Sequence, residues 1–252
     1  MRKIECNLIL QYVLSIIISL GWMITPVNAN GNLKSIDIKQ ELPLQLGEYL
    51  NNEYSDILRQ THSPAMAGNN SDYRQYIRVG FNSKRNEFYI RPMGNFHEGL
   101  EGLVIDKSLN ILKDDFGSAP SKLTLISKVA FSIKVDGKEL KYSYIENLKK
   151  YIARNTIAGK YVGKNEDKYL FTEDGEAIFP DRDFRYEVAT DVISGVDYLL
   201  EVLPHGVGNL YGFKLNKNEL ELYKMGGPMG DVPEEKPFIT LLRIGDDEKS
   251  KQ

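Results

Sequence analysis

From Gly159 to Arg243 the chain reads as eight short apolar stretches, each closed by residues that turn. The stretches are 159–162, 168–172, 176–179, 184–188, 198–202, 210–215, 219–223 and 238–243. Between them stand Glu173-Asp174-Gly175, Pro180-Asp181, Ser194-Gly195, Pro204-His205-Gly206, Asn216-Lys217-Asn218 and Gly226-Gly227-Pro228. Glycine, proline, asparagine and aspartate end strands because their backbones accept turn geometry or restrict it usefully. Glu219-Leu220-Glu221-Leu222 alternates charged and apolar residues, which gives a strand one wet face and one buried face. Short strands at this spacing predict an antiparallel sandwich or an up-and-down barrel. An even number of strands lets a barrel close and removes its exposed edges.

The preceding 120 residues are strand-rich as well. Leu50, Tyr54, Ile57 and Leu58 recur at helical spacing and predict a helix over 51–61, capped by Asn51 or Asn52 and stopped at Pro64. Residues 65–72 read as loop. Tyr76–Val79 and Glu87–Arg91 flank a turn and predict a hairpin. Strands follow at 103–105, 123–126, 130–135 and 140–144, with Asp136-Gly137 as the hairpin turn between the last two. A second helix is predicted from Tyr144 to Asn155, with Ile145, Leu148 and Ile152 on one face. Leu46-Gly47-Glu48-Tyr49 echoes Ile157-Ala158-Gly159-Lys160-Tyr161, and each opens a strand-rich half. The fold expected is mainly β: two small antiparallel domains, 30–155 and 156–252, with two short helices.

Residues 1–29 have the order of a secretory signal: Arg2 and Lys3, an apolar run from Leu8 to Ile24, then Val27-Asn28-Ala29 before the expected cut. The chain is therefore expected in the periplasm or outside the cell, with no stable membrane anchor after cleavage. Cys6, the one cysteine, lies in that segment, so the mature part has neither disulfide nor thiol nucleophile. Without Arg2, Lys3 and Glu5, 30 basic and 34 acidic residues remain, a net charge of −4. That mild balance gives no clustered basic face for nucleic acid.

The second half resembles the small lipocalin-like (calycin) domains of exported bacterial proteins. The residues that carry the likeness are Gly159-Lys160-Tyr161, the hairpin Lys168–Glu176, Tyr211–Lys214, Leu220–Tyr223 and the closing strand Phe238–Arg243. Tyr161 stands where the full-length lipocalin pattern Gly-x-Trp has its tryptophan. The resemblance implies an eight-stranded lipocalin-like barrel with a cavity able to hold a ligand, and it implies no reaction.

Chemical signatures are sparse. His62, His97 and His205 are 35 and 108 residues apart, without the close pair a zinc site favours. Glu173, Asp174, Asp181 and Asp183 lack the spacing of a calcium loop. Ser63 has no Gly-x-Ser-x-Gly elbow around it. No catalytic residue, metal or cofactor is expected. Asn95, His97 and Glu98, bracketed by Gly94 and Gly99, are the candidate ligand contacts, because glycine permits a break in strand alternation that brings neighbours to one side. Tyr54 and His62, on the first helix and its exit, are the others. The expectation is an exported, non-enzymatic binding protein for an unknown small apolar ligand. The alternative is an immunity or inhibitor protein that neutralises a secreted toxin or enzyme by protein contact. A filled barrel with an exposed aromatic or acidic patch favours the second, and an open apolar interior the first.

Overall fold

A computed structural model of the chain describes residues 44–72, 75–85, 87–94, 98–99, 103–105, 109–110, 123–135, 137–190, 196–226 and 232–245. The segment 1–29, expected to be a secretory signal, therefore lies outside the described residues. The first half contains β1 (Gly47–Asn51), α1 (Asn52–Thr61), α2 (Pro64–Asn70), β2 (Tyr76–Asn82), β3 (Glu87–Gly94) and β4 (Glu98–Gly99). It continues with β5 (Leu103–Ile105), β6 (Leu123–Ser127), β7 (Ala130–Val135), β8 (Lys138–Ile145) and α3 (Leu148–Asn155). The strands form an antiparallel half-barrel in the order β4-β3-β2-β1-β8-β7-β6, with β5 also on β3. One face buries Tyr49, Ile77, Ile90, Leu123, Phe131 and Tyr142 in a shared core. Leu50, the neighbour of Tyr49, belongs to a different core, as strand alternation requires.

The helices differ from the sequence expectation in three respects. Leu50 lies in β1, which runs into α1 without a break and so falls in phase with the helical stripe. Pro64 begins α2, where the sequence predicts a loop over 65–72. Proline suits the first helical position, where its missing N–H would have no partner anyway, and the Ser63 hydroxyl caps the turn by accepting from Met66 N at 3.0 Å. The third helix starts at Leu148, because Tyr144 and Ile145 pair with Tyr49 and Glu48 in the sheet. Its cap is Asn147, which accepts from Lys150 N.

The second half contains β9 (Gly159–Val162), β10 (Lys168–Phe171), β11 (Glu176–Ile178), β12 (Asp183–Val188), β13 (Asp197–Leu203), β14 (Gly206–Asn216), β15 (Glu219–Gly226), β16 (Val232–Pro233) and β17 (Ile239–Ile244). Each strand from β9 to β15 pairs antiparallel with the next, β15 pairs with β17, and β17 pairs back with β9. The result is the closed eight-stranded antiparallel barrel that the eight stretches predict. Only the two-residue β16 stands outside the ring, on β15. The echo of Gly-x-Tyr is structural. Tyr49 and Tyr161 are both fully buried near the start of the first strand of their half, and each hydroxyl donates to the carbonyl four residues back, Gln45 at 2.7 Å and Ile157 at 2.8 Å. Burial pushes the Tyr49 phenol up to about 12.

Residues 42–252 make one compact unit, and the helices show why. Leu50, Tyr54, Leu58, Ala67, Ile152 and Ala153 share one buried cluster with the barrel residues Ile157, Tyr161, Leu199 and Phe213. Helices α1 to α3 thus cover one end of the barrel. Arg243 binds that end together. It donates to Thr156 O at 3.0 Å, Ala158 O at 2.9 Å and the Tyr161 hydroxyl at 3.2 Å, with its guanidinium over the Tyr161 ring. Lys149 and Arg154 of α3 reach Glu187 and Glu173 at 2.7 and 2.6 Å, exposed pairs of small individual worth.

Asp197 is the polar clasp of this cover. Its carboxylate accepts from Ala65 N at 2.8 Å and from the Ser63 hydroxyl. Asp197→Ala would orphan a buried N–H and is expected to cost about 1–3 kcal/mol, whereas Asp197→Asn, which keeps the accepting oxygen, should cost less than about 1 kcal/mol. Burial holds the Asp197 carboxyl above the usual carboxylate range, against the lowering effect of its two hydrogen bonds. The fold therefore favours the protonated form. Its contribution to stability is full below the unfolded value near ~3.9 and is lost as pH rises through the raised one. Urea unfolding of parent and Asn variant at several pH values checks both points, since only the parent should show that decline.

Candidate functional site

Strand direction sorts the barrel's connections into two ends. Segments 172–175, 189–190 and 217–218 lie at the helix-covered end. Segments 163–167, 179–182, 204–205 and 232–238 lie at the other end, the mouth. Tyr169 and Tyr211 face inward near the mouth, because each pairs across the ladder with a core residue, Tyr169 with Tyr161 and Tyr211 with Leu199. The rings run as a continuous chain. Tyr169 to Phe179 is 5.1 Å between centroids, Phe179 to Phe184 5.2 Å, Phe184 to Tyr211 6.2 Å and Tyr211 to Phe238 5.7 Å. Such tilted and edge contacts suit the ring quadrupole.

A charged group stands among them. Glu201 pairs with Tyr186 and so faces inward, at 8% exposure. The register slips beside it: Leu200 pairs with Leu210 but Val202 with Val207, so Gly208 and Asn209 both lie opposite Glu201. This is a bulge, a device that re-aims side chains. A β-carbon on Gly208 would come within 3.1 Å of the Glu201 side chain, so glycine makes the room it occupies. The carboxylate accepts from the Asn209 side-chain amide at 2.7 Å and its backbone N–H at 3.4 Å. Its counter-ion is Arg182, 3.5 Å away, from the turn between β11 and β12. The Arg182 guanidinium donates to the Tyr211 hydroxyl at 2.6 Å and lies over the rings of Phe184, at 4.7 Å, and Tyr211, at 5.8 Å. Around this cluster Leu203, Val207 and Phe238 are 47%, 47% and 41% exposed.

The candidates from sequence lie elsewhere. Tyr54 is fully buried between α1 and the barrel, and burial, with Asp197 and Tyr151 adding, pushes its phenol well above the usual range. His62 adopts a left-handed conformation (φ 55°) that ends α1, and its Nδ1 lies 2.8 Å from Asn155 O, joining the ends of α1 and α3. Both serve the helical cover and neither reaches the mouth. Asn95 and His97 lie outside the described residues. Glu98 is described by its backbone alone, which pairs with Gly94 in the β3–β4 ladder. Among the described residues no three acidic or histidine side chains gather as metal ligands. Glu173 and Asp174 are instead held by Arg154 and Lys150.

The cluster of Arg182, Glu201 and Tyr211 is not expected from sequence, though one signal is present. In Leu199-Leu200-Glu201-Val202-Leu203, Glu201 shares its parity with Leu199 and Leu203, which puts a charge on the buried face. Searches against family models, curated proteins and solved structures found no match to this chain.

Proposed function

We propose that the mature chain is an exported, non-enzymatic binding protein, lipocalin-like in its second half, that grips a partner protein at the barrel mouth. Its role is that of an immunity or inhibitor protein acting on a secreted toxin or enzyme. One observation carries this over the small-ligand alternative. The positions where an apolar ligand would sit are taken by the chain's own side chains: Tyr161, Phe171, Leu199, Phe213, Leu220 and Leu241 are each 1% exposed or less. Apolar surface is offered outside instead, at Leu203, Val207 and Phe238, next to aromatic rings and an arginine. Aromatic residues and arginine are the types that dominate protein interfaces.

Native mass spectrometry of the full chain from its own exported fraction is expected to show a protein complex. A photo-reactive residue at position 203 or 238 should capture the same protein, and one at position 217, beside the helical cover, should not. A small molecule retained by the chain, or equal capture from both ends, would overturn the proposal.

A further inference from the structure

We infer that the barrel mouth is a seat for a cationic side chain, filled in the free protein by Arg182 and taken over by an arginine of the partner on binding. The occupant's being a protein rests on the proposed function; the seat itself does not. A buried carboxylate demands a partner, since an unpaired charge out of water is strongly unfavourable. Glu201 is such a group, fixed by Asn209 and by the space at Gly208. Beside it the faces of Phe184 and Tyr211 supply the negative quadrupole that attracts a cation. Carboxylate, ring faces and a phenolic oxygen together match a planar guanidinium, which can pair, stack and donate at once.

The present occupant is tethered in a way that permits exchange. Arg182 belongs to a turn and to no strand, and its side chain is 37% exposed. Its carbonyl accepts from Phe179 N at 2.9 Å, so the turn keeps its shape when the side chain swings out. No ladder bond breaks. The mouth loops and the start of β12 also carry Glu166, Asp167, Asp181, Asp183, Glu234 and Glu235, all exposed and none in an ion pair among the described residues. With Glu201 they are seven, against Lys164, Lys168, Arg182, Lys224 and Lys236 at the same end, a small negative balance that favours a cation at the opening. Exchange replaces one stacked guanidinium by another, so the seat itself adds little net affinity. Its effect is selectivity, because a neutral or acidic side chain that displaced Arg182 would leave Glu201 unpaired.

The test empties the seat and refills it. Arg182→Ala and Arg182→Gln are expected to lower the melting midpoint. N-acetyl-arginine amide at ~20 mM should then raise the midpoint of each variant by roughly 3–6 °C, if it binds with a dissociation constant of about 1 mM. The parent, whose seat is full, should move by less than about 1 °C. N-acetyl-norleucine amide should do nothing, and Arg182→Gln/Glu201→Gln should not respond to either compound. The glutamine variant carries the test if the alanine one fails to fold. Lys224 pairs across the ladder with Tyr211, so adding Lys224→Gln keeps its amine from filling the gap. Equal responses of parent and variants, or no response in any variant, would overturn the seat. Recovery by the arginine compound with no protein captured from the mouth would keep the seat and remove the protein-partner proposal.

Discussion

A fragment of residues 156–252 is expected to keep a β-type far-ultraviolet spectrum but to melt at least about 10 °C below the full chain. All eight strands of the ring, and each pairing that closes it, lie inside the fragment. What it loses is the cover over one end. Leu50, Tyr54 and Leu58 are each 1% exposed or less, and they cover Ile157, Tyr161 and their neighbours in the shared cluster. Full burial of one such side chain is worth about 1.5–3 kcal/mol, and a domain of this size shifts by roughly 4–8 °C per kcal/mol. Even a partial loss of the cover therefore exceeds about 10 °C. Extending the fragment back to residue 147 restores Ile152 and Ala153 and should recover part of the difference. An undiminished midpoint would show that the cover contributes nothing. A disordered fragment would show that the barrel cannot form without it.

The barrel is legible in the sequence because its contacts are local. In an up-and-down ring nearly every strand pairs with its neighbour in the chain, so turn residues and period-two alternation carry both strand and partner. The helices are legible only in part. The spacing of Tyr54 and Leu58 says that one face is buried, but it does not say against what, and the answer lies over a hundred residues away in the barrel. Ser63-Pro64 carries the same two residues whether a helix has ended or another is about to begin. The site is the least legible part. Arg182 sits in a turn, Phe184 and Tyr211 lie on strands that do not adjoin, and Phe238 comes from the far side of a long connection. No spacing in the chain writes that arrangement down. Glu201 alone announces itself, by standing on an apolar face. The hydroxyl of Tyr54 and the ring of His62 draw attention as chemistry, yet packing and a helix end account for them.

Phe171→Ala is expected to destabilise the protein by about 3–5 kcal/mol, more than the loss of the Asp197 clasp. Phe171 is 1% exposed and meets three rings, Tyr161 at 5.9 Å, Phe179 at 5.6 Å and Tyr186 at 5.5 Å. It is the hub through which the closed end and the mouth share one aromatic interior. Strands on both sides are fixed by ladder bonds, so the wall cannot collapse to refill the space, and the cavity term adds to the transfer term. Urea unfolding should show a lower midpoint with an unchanged slope, since the surface exposed on unfolding stays nearly the same. The variant also tests what the barrel is for. A dry apolar cavity of that size accepts small aromatic molecules, so saturating benzene should raise the melting midpoint of Phe171→Ala. The parent, with its interior already filled, should not respond. Stabilisation of the parent by benzene would mean that the interior has room for a ligand after all, and the small-ligand alternative would then displace contact at the mouth as the better account of this protein.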